Sequence, residues 1–96
     1  MDVRILGRKT AEEFALKHAD IRSPLNAWVA EVSGAQWQGP DDVKTRYPSA
    51  SLLRDNRIIF NLKGAKYRLE VKVAYQTKVV LIRRLGTHAE YGRWDA

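Results

Sequence analysis

"RIIFNLKGAKYRLEVKVAY", residues 57–75, has a hydrophobic period of two, unlike the chain before it. Ile58, Phe60 and Leu62 alternate with Arg57, Ile59, Asn61 and Lys63, as in a strand with one buried face. Gly64 in "KGAK" makes a tight reversal. Beyond it Tyr67, Leu69, Val71, Val73 and Tyr75 point one way, and Lys66, Arg68, Glu70 and Lys72 the other. After a turn at "QTK", "VVLIRRL" at 79–85 is apolar on both faces until Arg83 and Arg84, so it belongs in a central position. Three sequential antiparallel strands are predicted.

Working outward, the first half reads as mainly helical. "DVRILG" alternates weakly, as a short strand does, and Thr10 with Glu13 three residues later fits a capping box for a helix carrying Phe14 and Leu16 to about His18. In "SPLNAWVAEVSGA" Ser23 is a good cap and Pro24 suits the first helical position. Leu25, Trp28, Val29 and Val32 then recur on one face until Gly34. "GPDDVKTRYP" is a short helix between breakers, with Asp41 and Asp42 complementing its dipole. "PSASLLRDN" is a turn-rich connector with "RDN" at its tip. The fold class predicted is α+β with two layers, the amino-terminal helices covering one face of a small, mainly antiparallel sheet. At 96 residues, the chain 1–96 is expected to be a single domain.

Composition narrows the chemistry. No cysteine is present, which removes disulfides, thiolate nucleophiles and Cys-type zinc sites, and the two histidines stand far apart at 18 and 88. The expectation is a protein with no cofactor and no resident metal. No apolar run approaches the roughly 20 residues that span a bilayer, and "MDVRILGRKTAEEF" lacks a secretory core and cleavage site. A cytoplasmic protein without membrane contact is expected.

The net charge of +6 is localised. Residues 1–48 hold seven Lys and Arg against seven Asp and Glu, whereas 49–96 hold ten against four, so the whole excess lies in the second half. The sheet face opposite the core is predicted to present Arg57, Lys63, Lys66, Arg68, Lys72 and either Arg83 or Arg84. Cations side by side across strands repel unless something negative settles among them, which makes phosphates of nucleic acid the leading ligand. The same pattern also suits a solvated, aggregation-resistant face, with Glu70 neutralising its neighbours.

"GTHAEY", residues 86–91, follows the last strand directly. If "HAEY" is a helical turn, His88 and Tyr91 share a face at the end of the sheet that bears the arginines. A histidine can transfer a proton near neutral pH, and arginines hold a developing phosphorane charge. Such a set suffices for metal-free RNA cleavage, in which a 2′-hydroxyl attacks the adjacent phosphate. The other reading of these residues is a surface or capping histidine beside a tyrosine that packs the terminal turn.

The layout, and specifically "RIIFNLKGAKYRLEVKV" followed by "IRRLGTHAEYGRWDA", with "PLNAWVAEV" and "YPSAS" in the helical half, resembles the HigB family of toxins from toxin–antitoxin systems, within the RelE-like group. The resemblance spans nearly the whole chain. It implies a RelE-like fold and a ribosome-dependent messenger-RNA endoribonuclease (mRNA interferase) that inhibits translation. It also implies two partners besides messenger RNA, the 70S ribosome and a cognate HigA-like helix-turn-helix antitoxin. Carried over residue by residue, it places transition-state stabilisation at Arg68 in "YRL", and acid–base or base-stacking roles at His88 and Tyr91. Lys63, Lys66, Lys72, Arg83, Arg84 and Arg57 are assigned to RNA binding. Where some group members carry alternate lysines before "YRL", this chain reads "IFN", so the resemblance names no general base. The alternative function is a non-catalytic RNA- or ribosome-binding translation inhibitor, or an inactive relative that binds only its antitoxin.

Overall fold

The computed structural model describes residues 3–94. Strands β1 (Arg4–Leu6), β2 (Ser51–Leu52), β3 (Arg57–Leu62), β4 (Tyr67–Ala74) and β5 (Val79–Thr87) form one sheet in the order β1-β5-β4-β3-β2. The three predicted strands are its interior, antiparallel throughout. The amino-terminal strand adds a parallel edge to β5, and the connector at 48–56, turn-rich in sequence, contributes the two-residue edge β2. The tip of that connector is a reversal at Asp55 and Asn56, both with positive φ. Helices α1 (Arg8–Lys17), α2 (Arg22–Ser33) and α3 (Pro40–Arg46) make up the second layer, and a short carboxy-terminal helix α4 (His88–Tyr91) follows β5. The fold is α+β and RelE-like, as expected.

The core forms where the alternating apolar positions meet the helices. Ile58, Phe60, Leu62, Tyr67, Leu69, Val71, Val73, Val80 and Ile82 face Ala11, Ala15, Ile21, Leu25, Trp28, Val32 and Val43. Phe60 is the aromatic centre, with the Trp28, Tyr47 and Trp37 rings at centroid distances of 5.4, 5.0 and 6.3 Å.

Two helix starts differ from the prediction. Thr10 and Glu13 form no capping box, because α1 begins three residues earlier, straight after Gly7. Gly7 has φ 80°, and a Cβ there would lie 2.4 Å from the Ile82 carbonyl oxygen, so the close approach of chain to sheet fixes the start. Leu16 projects into solvent, and α1 buries Ala11 and Ala15 instead. Ser23 does not cap α2, since a 3-10 turn at Ala19–Ile21 runs directly into Arg22. The capping box that does form is in α4. Thr87 Oγ1 accepts from the Glu90 backbone N–H at 3.2 Å, and Glu90 Oε1 accepts from Thr87 N–H at 2.8 Å.

Asp20 ties the helical layer to the β3–β4 loop. Its carboxylate accepts from Lys66 Nζ at 2.5 Å, from the Tyr67 hydroxyl and from Lys63 Nζ at 3.1 Å. These bonds, that of Lys66 foremost and then Tyr67 and Lys63, hold the Asp20 carboxyl far below the usual carboxylate range. A depressed native pKa stabilises the fold fully only above the unfolded value of about 4. As the pH drops below that, the unfolded chain binds the proton first and the contribution fades toward the depressed native pKa. The Asp20→Asn variant is therefore expected to melt below wild type near pH 7, with the gap closing progressively under about pH 4. Circular-dichroism melts over a pH series measure this, and a gap that does not change with pH would contradict it.

Candidate active site

The face of the sheet away from the helices carries the cations, and one carboxylate lies among them. Glu70 on β4 is 1% exposed, the one charged side chain buried among the described residues. Its Oε1 accepts from Arg84 Nε and Nη2, both at 2.9 Å, while Oε2 meets Arg83 Nε at 3.2 Å and Arg57 Nη1 at 3.8 Å. Strict alternation would turn only one of Arg83 and Arg84 to this face. A β-bulge changes that: Glu70 pairs with Arg84 and Val71 with Ile82, leaving Arg83 as the extra residue, and both guanidiniums reach Glu70.

Beside this cluster lies a cavity of about 220 Å³ lined by Leu53, Ile59, Glu70, Arg84, Tyr91, Gly92 and Trp94. Ile59, on the polar side of β3 by alternation, is buried there. One wall of the cavity, formed by Tyr91, Gly92 and Trp94, follows β5. The Trp94 ring lies 4.3 Å from the Arg84 guanidinium carbon and 5.5 Å from the Tyr91 ring. The indole also fits against Gly86, where an added Cβ would come within 2.7 Å of it.

Arg68 stands one pleat from Glu70 on the same face, opposite Asn61 and Gly86. Its Nη1 donates to the Ala65 carbonyl at 2.7 Å, and its guanidinium carbon lies 5.2 Å from the centroid of the Tyr91 ring. His88 opens the helical turn that ends in Tyr91, and its backbone N–H donates to the Lys66 carbonyl at 3.0 Å. The histidine is thus at the same end of the sheet as Arg68, exposed and outside the cavity lining. Lys72 is exposed on the cationic face, opposite Arg57 and Leu81.

Lys63 and Lys66 are placed differently from the expectation. β3 ends at Leu62, and Lys63 and Gly64 take positive φ of 52° and 66°, so the alternation stops before either lysine. Both ammonium groups turn to Asp20 in the helical layer. The structure therefore gathers Arg57, Arg68, Lys72, Arg83 and Arg84 on one face with Tyr91 and His88 at its end, and leaves Lys63 and Lys66 at the hairpin tip. Among the described residues, no three His, Asp or Glu side chains group as a metal site, and no helix is long and apolar enough to cross a membrane.

The family model described as the HigB toxin, RelE-like toxic component of a toxin–antitoxin system, matches residues 21–94. The chain belongs to the HigB toxin family. Its relatives include the mRNA interferase toxin HigB of Escherichia coli strain K12 and the mRNA interferase HigB proteins of Escherichia coli O157:H7 and Shigella flexneri. Each is 23% identical over 96 residues, covering 98% of this chain and 92% of the relative. This HigB toxin is thus the toxic half of a toxin–antitoxin pair, in a family with an antitoxin partner and RNA targets. The matched span contains α2, α3, the sheet from β2 to β5 and the whole cationic face.

Residue types alone did not single out Ile59, Leu53 and Trp94 as parts of the cavity. The alternation did place Glu70 among the cations, and that was the available sign of its role as their common partner.

Proposed function

We propose that this HigB toxin is a ribosome-dependent messenger-RNA endoribonuclease that cuts by metal-independent transesterification. The 2′-hydroxyl of the RNA forms a bond to the adjacent phosphorus as the bond to the 5′-oxygen breaks. The hydroxyl gives up its proton, and the leaving oxygen gains one. Arg68 bears the charge that builds on the phosphorane oxygens, since a guanidinium donates without losing its own proton. His88 moves a proton, and Tyr91 orients or stacks a base beside the scissile bond. Arg57, Lys72, Arg83 and Arg84 hold flanking phosphates. Lys63 and Lys66 share a single carboxylate, so the hairpin tip keeps a positive charge and is assigned to the backbone further along. The observation that carries this reading is the Arg68 guanidinium over the Tyr91 ring, beside the arginine cluster and one helical turn from His88. The partners proposed are the 70S ribosome, which presents the messenger RNA, and a HigA-like helix-turn-helix antitoxin.

Primer extension on messenger RNA from cells expressing the toxin tests it. New 5′ ends are expected within translated regions, absent from transcripts that ribosomes do not load. In a purified translation system the products carry 5′-hydroxyl and 2′,3′-cyclic phosphate ends, and a 2′-deoxy substitution at the cut position blocks cleavage. Growth arrest without new ends would instead establish a non-catalytic translation inhibitor, and 5′-phosphate ends would overturn the transesterification.

A further inference from the structure

We propose that Glu70 is a positioning residue of this toxin: its buried carboxylate aligns Arg57, Arg83 and Arg84 on the cationic face assigned to the RNA backbone, and through Arg84 it fixes the turn that carries Tyr91. The proposal rests on the endoribonuclease reading above. Three guanidiniums from two strands separated by β4 would repel and spread if nothing negative lay between them. Glu70 is at the common point, two residues along β4 from Arg68, with charge-assisted hydrogen bonds to Arg84 at 2.9 Å and ion-pair contacts to Arg83 at 3.2 Å and Arg57 at 3.8 Å. A guanidinium has five N–H donors. Glu70 engages Arg83 through Nε and Arg57 through one Nη1, so neither has all its donors consumed by that carboxylate.

Arg84 transmits the alignment to the chain end. Its guanidinium is held between Glu70 and the Trp94 ring, Trp94 rests on Gly86 and meets Tyr91, and Tyr91 meets Arg68. The contacts form a continuous ring from the carboxylate to the guanidinium assigned to the phosphorane. Removing the Glu70 charge has two opposed consequences. The arginines lose their shared anchor, and the face gains one unit of positive charge, which strengthens attraction to a polyanion. Turnover and RNA affinity should therefore move in opposite directions, whereas unfolding would lower both.

The experiment compares wild type, Glu70→Gln and Glu70→Asp as full chains on ribosomes programmed with a defined messenger RNA. Affinity is measured separately on a non-cleavable, 2′-deoxy-substituted RNA. Glu70→Gln is expected to lower kcat about 10- to 100-fold, the scale of an ångström-level misplacement, with KM unchanged or lower and the RNA bound at least as tightly. Glu70→Asp keeps the charge but draws it back by one methylene, so its kcat should fall between the other two. If Glu70→Gln does not fold, Glu70→Asp decides the matter: reduced kcat at wild-type KM and melting temperature supports alignment, and wild-type kcat overturns it. A kcat for Glu70→Gln within twofold of wild type, or a KM that rises as kcat falls, also overturns it. Nitrogen-15 spectra give a reading independent of cleavage. The Arg83 and Arg84 Nε–H signals should be slowed in exchange with water in the wild type and weakened in Glu70→Gln, and signals unchanged by the substitution overturn the alignment. A wild type that cuts nothing removes the endoribonuclease reading and the catalytic half of this proposal with it, while the arginine signals still decide whether Glu70 orders the cations.

Discussion

Replacing Arg68 by alanine is expected to slow messenger-RNA cleavage by about 10²- to 10³-fold, the usual cost of removing a preorganised donor aimed at charge that develops in the transition state. The structure accounts for the preorganisation. Arg68 is held at one end by the Ala65 carbonyl at 2.7 Å and at its face by the Tyr91 ring at 5.2 Å, so little reorganisation is needed when a phosphate arrives. Its side chain lies on the cationic face, away from the helical layer, and its loss opens no void in the core. Melting should therefore change by only about 1 kcal/mol equivalent, from the lost Ala65 bond and Tyr91 contact. Lysine at this position restores the charge without the planar fork, so Arg68→Lys should recover only part of the rate. Single-turnover cleavage on programmed ribosomes, with RNA affinity measured alongside, separates the two quantities. If Arg68→Ala cuts within about threefold of wild type, far short of the expected loss, the assignment of Arg68 is wrong.

Most of the framework was legible because it depends on local pattern. The alternation from Arg57 to Tyr75 fixed the strands and their buried faces, and the breakers around Pro40 and Gly34 marked helix ends correctly. What failed depended on distant contacts. No local signal tells that Gly7 must approach the Ile82 carbonyl, so the sequence around Thr10 points to a cap that the structure does not form. Lys63 and Lys66 continue the charged series in the sequence, but a hairpin loop leaves the strand plane, and Asp20, more than forty positions earlier, captures both. The bulge at Arg83 was equally invisible: it shows only when β5 is laid against β4, and it decides that two consecutive arginines share one face. The candidate site was thus half readable. Its residue types, their end of the sheet and Glu70 among the cations followed from the sequence, whereas the burial of that carboxylate and its contacts to three arginines show only in the fold.

Phe60→Ala should have the largest effect on stability, and it separates loss of fold from loss of chemistry. Phe60 is 1% exposed and touches three other aromatic rings, two edge-on and one stacked. Truncating a buried phenylalanine typically costs about 3–5 kcal/mol, from lost transfer energy together with the cavity left behind. Set against the roughly 5–15 kcal/mol that holds a typical domain together, this is a large share. Here the rings come from α2, the chain on either side of α3, and β3, so one deletion loosens the aromatic cluster by which α2 and the flanks of α3 grip β3. The denaturation midpoint should fall with the slope unchanged, as expected when stability and not the unfolded ensemble has changed. Ile59, the preceding residue, faces the cavity on the opposite side of the strand, so the chemistry of the folded fraction should survive. Cells should then show less toxicity through lower abundance, with cleavage per folded molecule close to wild type. A midpoint shift equivalent to less than about 1 kcal/mol would mean that the aromatic cluster repacks around the gap, since the penalty depends on how far a site can collapse; wild-type stability would then have to rest elsewhere along the layer interface.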